Sequence, residues 1–222
     1  MEIYIPDLFM IDNKEMASNN QVIVIGRQFG SGGRTVGKLV AQKLGFDYYD
    51  TELLNKAAES LGVDPEMCRR HDERKPSALR SLLQGAYGIA DNFHRVPFAE
   101  EGVYQAQCKM IKQLGDKGGC VIVGRNADFI LKDHPGLLSV FLHAPLGWRA
   151  KKIIERNEAI TPQEAMDLAR EHDRRREAYY NYYTGEKRWG VAENYDLSLD
   201  TSYMDPETVA EFIIQFAGFT RR

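Results

Sequence analysis

The chain has 222 residues, 43% of them hydrophobic and 27% charged, with a formal net charge of −3. This suits a soluble globular protein built as one fairly large domain, or one domain with mobile insertions. The slightly acidic balance argues against nucleic-acid binding through overall charge, and no apolar run approaches the ~20 residues that would cross a membrane.

Residues 1–20 carry Asp7, Asp12 and Glu15 and lack a basic start followed by an apolar core. They do not read as a secretory signal. A loosely attached lead-in is expected, with Ile5, Leu8 and Phe9 packing on the surface of a single domain over 21–222. Cys68, Cys108 and Cys120 are odd in number and lack CxxC spacing. Reduced thiols in a reducing compartment follow, and with them a cytoplasmic location.

QVIVIG (21–26) is the first expected strand, and 33–44 the first helix. FDYYD (46–50) reads as the second strand and 51–61 as the next helix. Helices over 77–93 and 99–116 follow a charged HDERKPS turn. CVIVG (120–124) and LLSVFLHA (137–144) read as strands three and four, then helices over 146–158 and 162–182, a fifth strand YDLSLDT (195–201), and a helix over 205–217. Strands one, three and four are nearly continuous apolar runs, which suits burial on both faces of a parallel sheet. The alternation argues an α/β fold. The long excursions after strands two and four are expected to be helical insertions over the edge where ligands bind.

Between the first strand and helix lie Gly30, Ser31, Gly32 and Gly33, followed by Arg34 and Thr35. A glycine turn at a helix N-terminus lets unpaired N–H groups approach phosphate oxygens. The usual signature G-x-x-x-x-G-K-[ST] is matched imperfectly. With Arg34 read as the lysine, the first glycine should stand where the chain has Gln28. With Gly30-Ser31-Gly32 aligned to the loop, Gly33 takes the lysine position. Arg34 is then the available cation, and Thr35 or Ser31 offers a hydroxyl to Mg²⁺. Two other readings stay open: a glycine-rich turn without a ligand, and a dinucleotide fold with Asp50 as the ribose acid.

Asp50 and Thr51 stand where the second strand becomes a helix, as caps or as ligand contacts, with Lys56 further along that helix. Gly124, Arg125 and Asn126 leave the third strand at the same edge. Arg125 is read as a ligand contact, with an ion pair as the alternative. Arg149, Lys151, Lys152 and Arg156, then Arg170, Arg174, Arg175, Arg176, Lys187 and Arg188, load the segment after strand four with positive charge. Such charges are usually solvated, but an arginine-bearing lid would neutralise a polyphosphate and exclude water. Tyr179, Tyr180, Tyr182, Tyr183 and Trp189 read as packing between lid and core, or as a base-stacking surface. The five histidines show no metal-ligand spacing.

Taken in order, the glycine loop, "YD" before a helix, "GRN" after the third strand, "FLHAPLGWRAKK", "HDRRR" and "YDLSLDTS" resemble the cytidylate kinase-like proteins. These are a nucleoside-monophosphate kinase branch of the P-loop NTPases. The resemblance spans roughly residues 21–217. It implies a three-layer P-loop fold with a five-stranded parallel sheet in order 2-3-1-4-5. It also implies a monophosphate-binding insertion near 60–105 and a lid near 145–190. ATP and Mg²⁺ would be the cofactors, with a CMP- or dCMP-like acceptor. Gly30 to Thr35 would hold donor phosphates, with Ser31 or Thr35 on magnesium. Asp50, Thr51, Lys56, Arg125 and Asn126 would hold the acceptor, and Arg34, Arg149, Arg174 and Arg176 would act in transfer. The chain departs from the bacterial cytidylate kinases in lacking the loop lysine, in Asn126 for an acid, and in Lys56 for an arginine. A non-catalytic nucleotide-binding module on the same fold is the alternative.

Overall fold

The structure, a computed structural model, describes residues 20–53, 95–185 and 187–219, with side chains from 104 onward in the segment that begins at 95. The lead-in, the expected helix over 77–93, Lys56, Cys68 and most of the expected monophosphate insertion lie outside the described residues.

The expected strand segments form five parallel strands: β1 (Val22–Arg27), β2 (Asp47–Tyr49), β3 (Cys120–Val123), β4 (Leu137–His143) and β5 (Leu197–Asp200). Their order is β2-β3-β1-β4-β5, as the resemblance implies. The helices with described bounds are α1 (Gly33–Leu44), α2 (Arg95–Lys117), α3 (Ala127–Ile130), α4 (Leu146–Glu155), α5 (Pro162–Thr184) and α6 (Pro206–Phe219). A further helix begins at Thr51. The short α3 is not foreseen by the helical pattern, and β2 and β5 are shorter than the segments 46–50 and 195–201 expected for them. Thr201 leaves β5 for a 3-10 turn in which the Asp200 side chain accepts from the Ser202 amide.

Alternation along the strands divides the core in two. Ile23, Ile25, Val121, Val123, Leu138, Val140 and Leu142 face α1 and α6 through Val36, Val40, Val209 and Ile213. Val22, Val24, Cys120 and Ile122 face α2 and α3 through Met110, Ile111, Ala127 and Leu131. Each fully buried Ile or Leu contributes ~1.5–3 kcal/mol relative to exposure, so the sheet has drivers on both faces. α4 and α5 pack a third, smaller core of Ala150, Ile153, Ala165 and Ala169, to which Phe29 adds its ring. A capping box starts α5: Glu164 N donates to Thr161 Oγ1 at 3.2 Å, and Thr161 N donates to Glu164 Oε2 at 3.0 Å.

β1 pairs with β3 on one side and β4 on the other. The exits of β1, β3 and β4 therefore open onto one edge, at the switch point where ligands bind in such sheets. Among the described residues no helix is long and apolar enough to cross a membrane.

Candidate active site

The chain leaves β1 through Gln28 to Gly32 and enters α1 at Gly33. The first bond of α1 runs from Val36 N to Gly32 O at 3.0 Å. The amides of Gly33, Arg34 and Thr35 therefore precede the helical ladder, as helix N-terminal amides do. Among the described residues nothing accepts from them. They sit at the positive end of the helix dipole, the arrangement that attracts anions.

The loop is held from outside. Phe29 N donates to Asp173 Oδ1 at 2.7 Å, and Phe29 O accepts from Arg149 Nη1 at 2.9 Å. Arg149 and Asp173 close the ring with a 2.7 Å ion pair, and Arg149 Nε donates to Ala144 O at 2.9 Å. Gly30, at φ +85°, lies so close to α4 that a Cβ would stand 2.9 Å from Arg149 Cβ and 3.0 Å from its carbonyl oxygen. Only glycine takes that backbone and that approach without strain. Ser31 is buried, and its hydroxyl donates toward Gln28 O (2.9 Å) and Leu142 O (3.1 Å).

Two cavities flank this loop. One, about 430 Å³, lies between the loop, Trp148 and the segment Thr201–Pro206. The other, about 400 Å³, is lined by Arg27, Gly33, Arg34, Thr51, Arg156 and Arg176 among others. Gly30, Gly32 and Thr35 face both. Phe29 organises the second rim: His172 stacks on it at 4.1 Å, and the Arg156 and Arg176 guanidiniums lie 5.7 and 5.5 Å from its centroid. Arg176 Nη1 also donates to Arg27 O at 3.1 Å.

At the opposite rim Asp50 caps the helix that begins at Thr51. Its Oδ1 accepts from Glu52 N at 3.1 Å and Leu53 N at 3.2 Å. Its Oδ2 accepts from the Tyr48 hydroxyl at 3.3 Å and lies 3.8 Å from Arg34 Nε. Burial, then the Asp50 charge, pushes the Tyr48 phenol upward, so it stays a donor. Thr51 Oγ1 is buried and has no hydrogen-bond partner among the described residues. Arg125 and Asn126 follow β3 in left-handed backbone, at φ 60° and 54°. They share a narrow cleft with Arg27, Asp128 and Arg176, where the Arg125 guanidinium lies 5.9 Å from the Tyr179 centroid. Asn126 Nδ2 has no hydrogen-bond partner among the described residues. Burial pushes Asp128 upward despite the Tyr180 hydroxyl donating to it at 2.7 Å.

Gly30, Gly32, Gly33, Arg34, Thr35, Thr51 and Arg176 thus meet around one cavity, with Asp50 next to Thr51 and with Arg125 and Asn126 in a separate cleft that shares Arg27 and Arg176 with it. Three expectations are corrected in placement. Arg149 is not a lid residue facing the cavity: it is buried and bound to loop and helix. Arg174 turns outward to Glu171 at 2.8 Å. Ser31 spends its hydroxyl on carbonyls, which leaves Thr35 the exposed hydroxyl of the pair. The tyrosines pack as expected except Tyr182, which is half exposed. Tyr179 and Tyr180 are buried, and Tyr183 stacks on Tyr104 of α2 at 3.6 Å. Arg27, Phe29 and Asp173 escaped the sequence reading, and Arg156 was read only as one of many charges on the segment after strand four. Arg27 could have been found as a charge ending an apolar strand, in the same Gly-Arg pattern as Gly124-Arg125, and Asp173 as the acid inside "HDRRR".

Known proteins align over nearly the whole chain. A cytidylate kinase from Pyrococcus horikoshii is 27% identical over 200 residues, covering 87% of this chain and 86% of that protein. A shikimate kinase from Thermodesulfovibrio yellowstonii is 26% identical over 196 residues, covering 87% and 92%. A crystal structure of an uncharacterized protein from Eubacterium ventriosum superposes with a TM-score of 0.66 at 26% identity, covering 89% of this chain and 98% of that one. The family model for the cytidylate kinase-like family matches residues 22–203. Strand order, glycine loop and this match agree: the chain belongs to the cytidylate kinase-like family.

Proposed function

We propose that the protein is an ATP- and Mg²⁺-dependent kinase that transfers the γ-phosphoryl group to a nucleoside monophosphate, CMP- or dCMP-like, or to a related small acceptor. The observation that carries this reading is the set of α1 amides, from which no group among the described residues accepts, at a cavity rimmed by Arg27, Arg34, Arg156 and Arg176. Family membership and relatives named as kinases support phosphoryl transfer as the reaction class.

The amides of Gly32 to Thr35 hold the donor phosphates. The 430 Å³ cavity is in the size range of small-molecule sites and takes the donor nucleoside. The residues present fit magnesium that arrives with the nucleotide. Thr35 offers an exposed hydroxyl beside the phosphate cavity, and Mg²⁺ usually keeps waters and substrate phosphates as its other ligands. When bound, the ion spreads the charge of the transferring group. Arg176 and Arg156, carried on the helical pair α4–α5 that forms the lid, close over the phosphates. Thr51, Asn126, Arg125 and the Asp50–Arg34 pair orient the acceptor, and Lys56 belongs with them by family likeness.

An oxygen of the acceptor phosphate forms the new bond to the γ-phosphorus. The β,γ-bridging oxygen leaves with its electron pair as part of ADP. A monophosphate is mostly dianionic at neutral pH, so no base has to remove a proton. Positioning and charge stabilisation do the work. The acceptor is a small molecule rather than a nucleic acid, and the setting is cytoplasmic.

Radiolabelled ATP with Mg²⁺, tested against CMP, dCMP, UMP, AMP and shikimate, separates this from its rival. Transfer to one of the monophosphates supports the reading. ATP binding without transfer to any of them supports a non-catalytic nucleotide-binding module, which the absence of a loop lysine favours.

A further inference from the structure

The place where a loop lysine would start is already crowded by another side chain. With Gly30-Ser31-Gly32 aligned to a phosphate loop, Gly33 stands at the lysine position. A Cβ built there would lie 2.8 Å from both Cβ and Cγ of Arg27. The Cβ is fixed by the backbone and cannot swing aside, whatever rotamer the Cγ takes. A side chain at 33 and a long side chain at 27 therefore exclude each other, and this chain carries the arginine.

The Arg27 stem crosses Gly33, and its guanidinium ends against Gly124 at the exit of β3. Gly124 has φ +86°, and a Cβ there would run into that guanidinium. Both glycines thus leave room for one side chain. Arg27 is 6% exposed, yet it lines both the 400 Å³ cavity and the cleft holding Arg125 and Asn126. Its carbonyl receives Arg176, so backbone and lid are tied at the same residue. Arg34 is different. Its side chain is 57% exposed and turns to Asp50.

We propose that Arg27, reaching across Gly33 from the end of β1, supplies the fixed positive charge for the terminal donor phosphate that a loop lysine supplies elsewhere. The inference rests on the nucleotide-kinase reading. The head of Arg27 lies against Gly124, between the cavity beside the loop and the cleft of Arg125 and Asn126, the side on which the proposed acceptor sits. A planar guanidinium there offers two donors in a fixed fork to phosphate oxygens. Its burial keeps that charge preorganised, the condition under which electrostatic stabilisation is strongest.

The test is the affinity for Mg·ATP relative to Mg·ADP, measured by calorimetry on the full chain, with transfer rates alongside. Arg27→Met keeps the stem and removes the charge. It is expected to weaken ATP about tenfold while ADP changes less than about twofold. It is also expected to lower kcat by about 10²–10³-fold. A merely structural role would weaken both nucleotides alike. Arg27→Gly combined with Gly33→Lys moves the cation into the loop. Glycine is needed at 27 because the Cβ itself is in the way. The double variant should recover at least about tenfold in ATP affinity over Arg27→Gly.

Equal ATP/ADP ratios in wild type and Arg27→Met overturn the proposal. If Arg27→Met does not fold, the swap decides: recovery supports the proposal and no recovery overturns it. Should the wild type transfer to no acceptor, the kinase reading fails, while the ATP/ADP ratios still decide the role of Arg27.

Discussion

Asp173 accepts the Phe29 amide through one carboxylate oxygen and the Arg149 guanidinium through the other, each at 2.7 Å. One acid on α5 therefore holds the loop between β1 and α1 and the buried arginine of α4 together. Arg156 of the α4 C-cap and Arg176 of α5 ride on the same helical pair, so Asp173 helps couple the loop to the proposed lid.

Asp173→Ala leaves the Arg149 charge buried with carbonyl partners only. Removing one member of a buried pair costs about 3–5 kcal/mol. Urea unfolding should show a loss in that range, and ATP affinity should fall with it. Asp173→Asn, whose side-chain oxygen can still accept from Phe29 N, should lose less on both measures.

Gly30→Ala tests the loop itself. The left-handed backbone adds about 1–2 kcal/mol for a residue with a Cβ, and the Cβ meets the Arg149 backbone oxygen, which cannot rotate away. The expected outcome is a lower Tm and weaker ATP binding. Wild-type affinity in a folded variant would mean that the loop does not hold phosphate.

Thr51→Val removes a buried hydroxyl that has no partner among the described residues. Tm should hold or rise slightly. The KM for the acceptor should rise about tenfold, the size of one lost hydrogen bond, with the KM for ATP unchanged. Steady-state kinetics with each substrate varied in turn reads the difference.

Asp128 gives a pH signature. Burial raises its carboxyl above the ordinary 3.8, so the folded state binds the proton more tightly than the unfolded one. Its stabilisation is complete below pH 3.8 and is lost as pH rises through the raised folded value. Asp128→Asn keeps an acceptor for the Tyr180 hydroxyl and removes the titration. Thermal unfolding across pH should fall less steeply with rising pH in the variant, which should be the more stable form at neutral pH.

The sheet was legible because three of its strands are apolar runs and because glycines and prolines punctuate the helices. The strand order came from the resemblance. The edge on which Asp50, Thr51, Arg125 and Asn126 gather was legible too, since strand exits of a parallel sheet share one side. Side-chain direction was not. Arg149 and Arg174 look alike in sequence, yet one is buried by Asp173, Phe29 and Ala144, and the other pairs with Glu171 one helical turn back. Arg27 was hidden because it ends an apolar strand as an apparent break. Its importance emerges only when Gly33 and Gly124, ninety-one positions apart in sequence (124 − 33), are seen to make room for the same side chain.

The most direct test is a crystal structure of the full chain with Mg²⁺ and a non-hydrolysable ATP analogue. The triphosphate is expected on the amides of Gly32 to Thr35, with its terminal phosphate toward Arg27 and its nucleoside between Trp148 and Tyr203. A triphosphate bound away from these amides, with the Gly30–Thr35 bend open to solvent, would contradict the account.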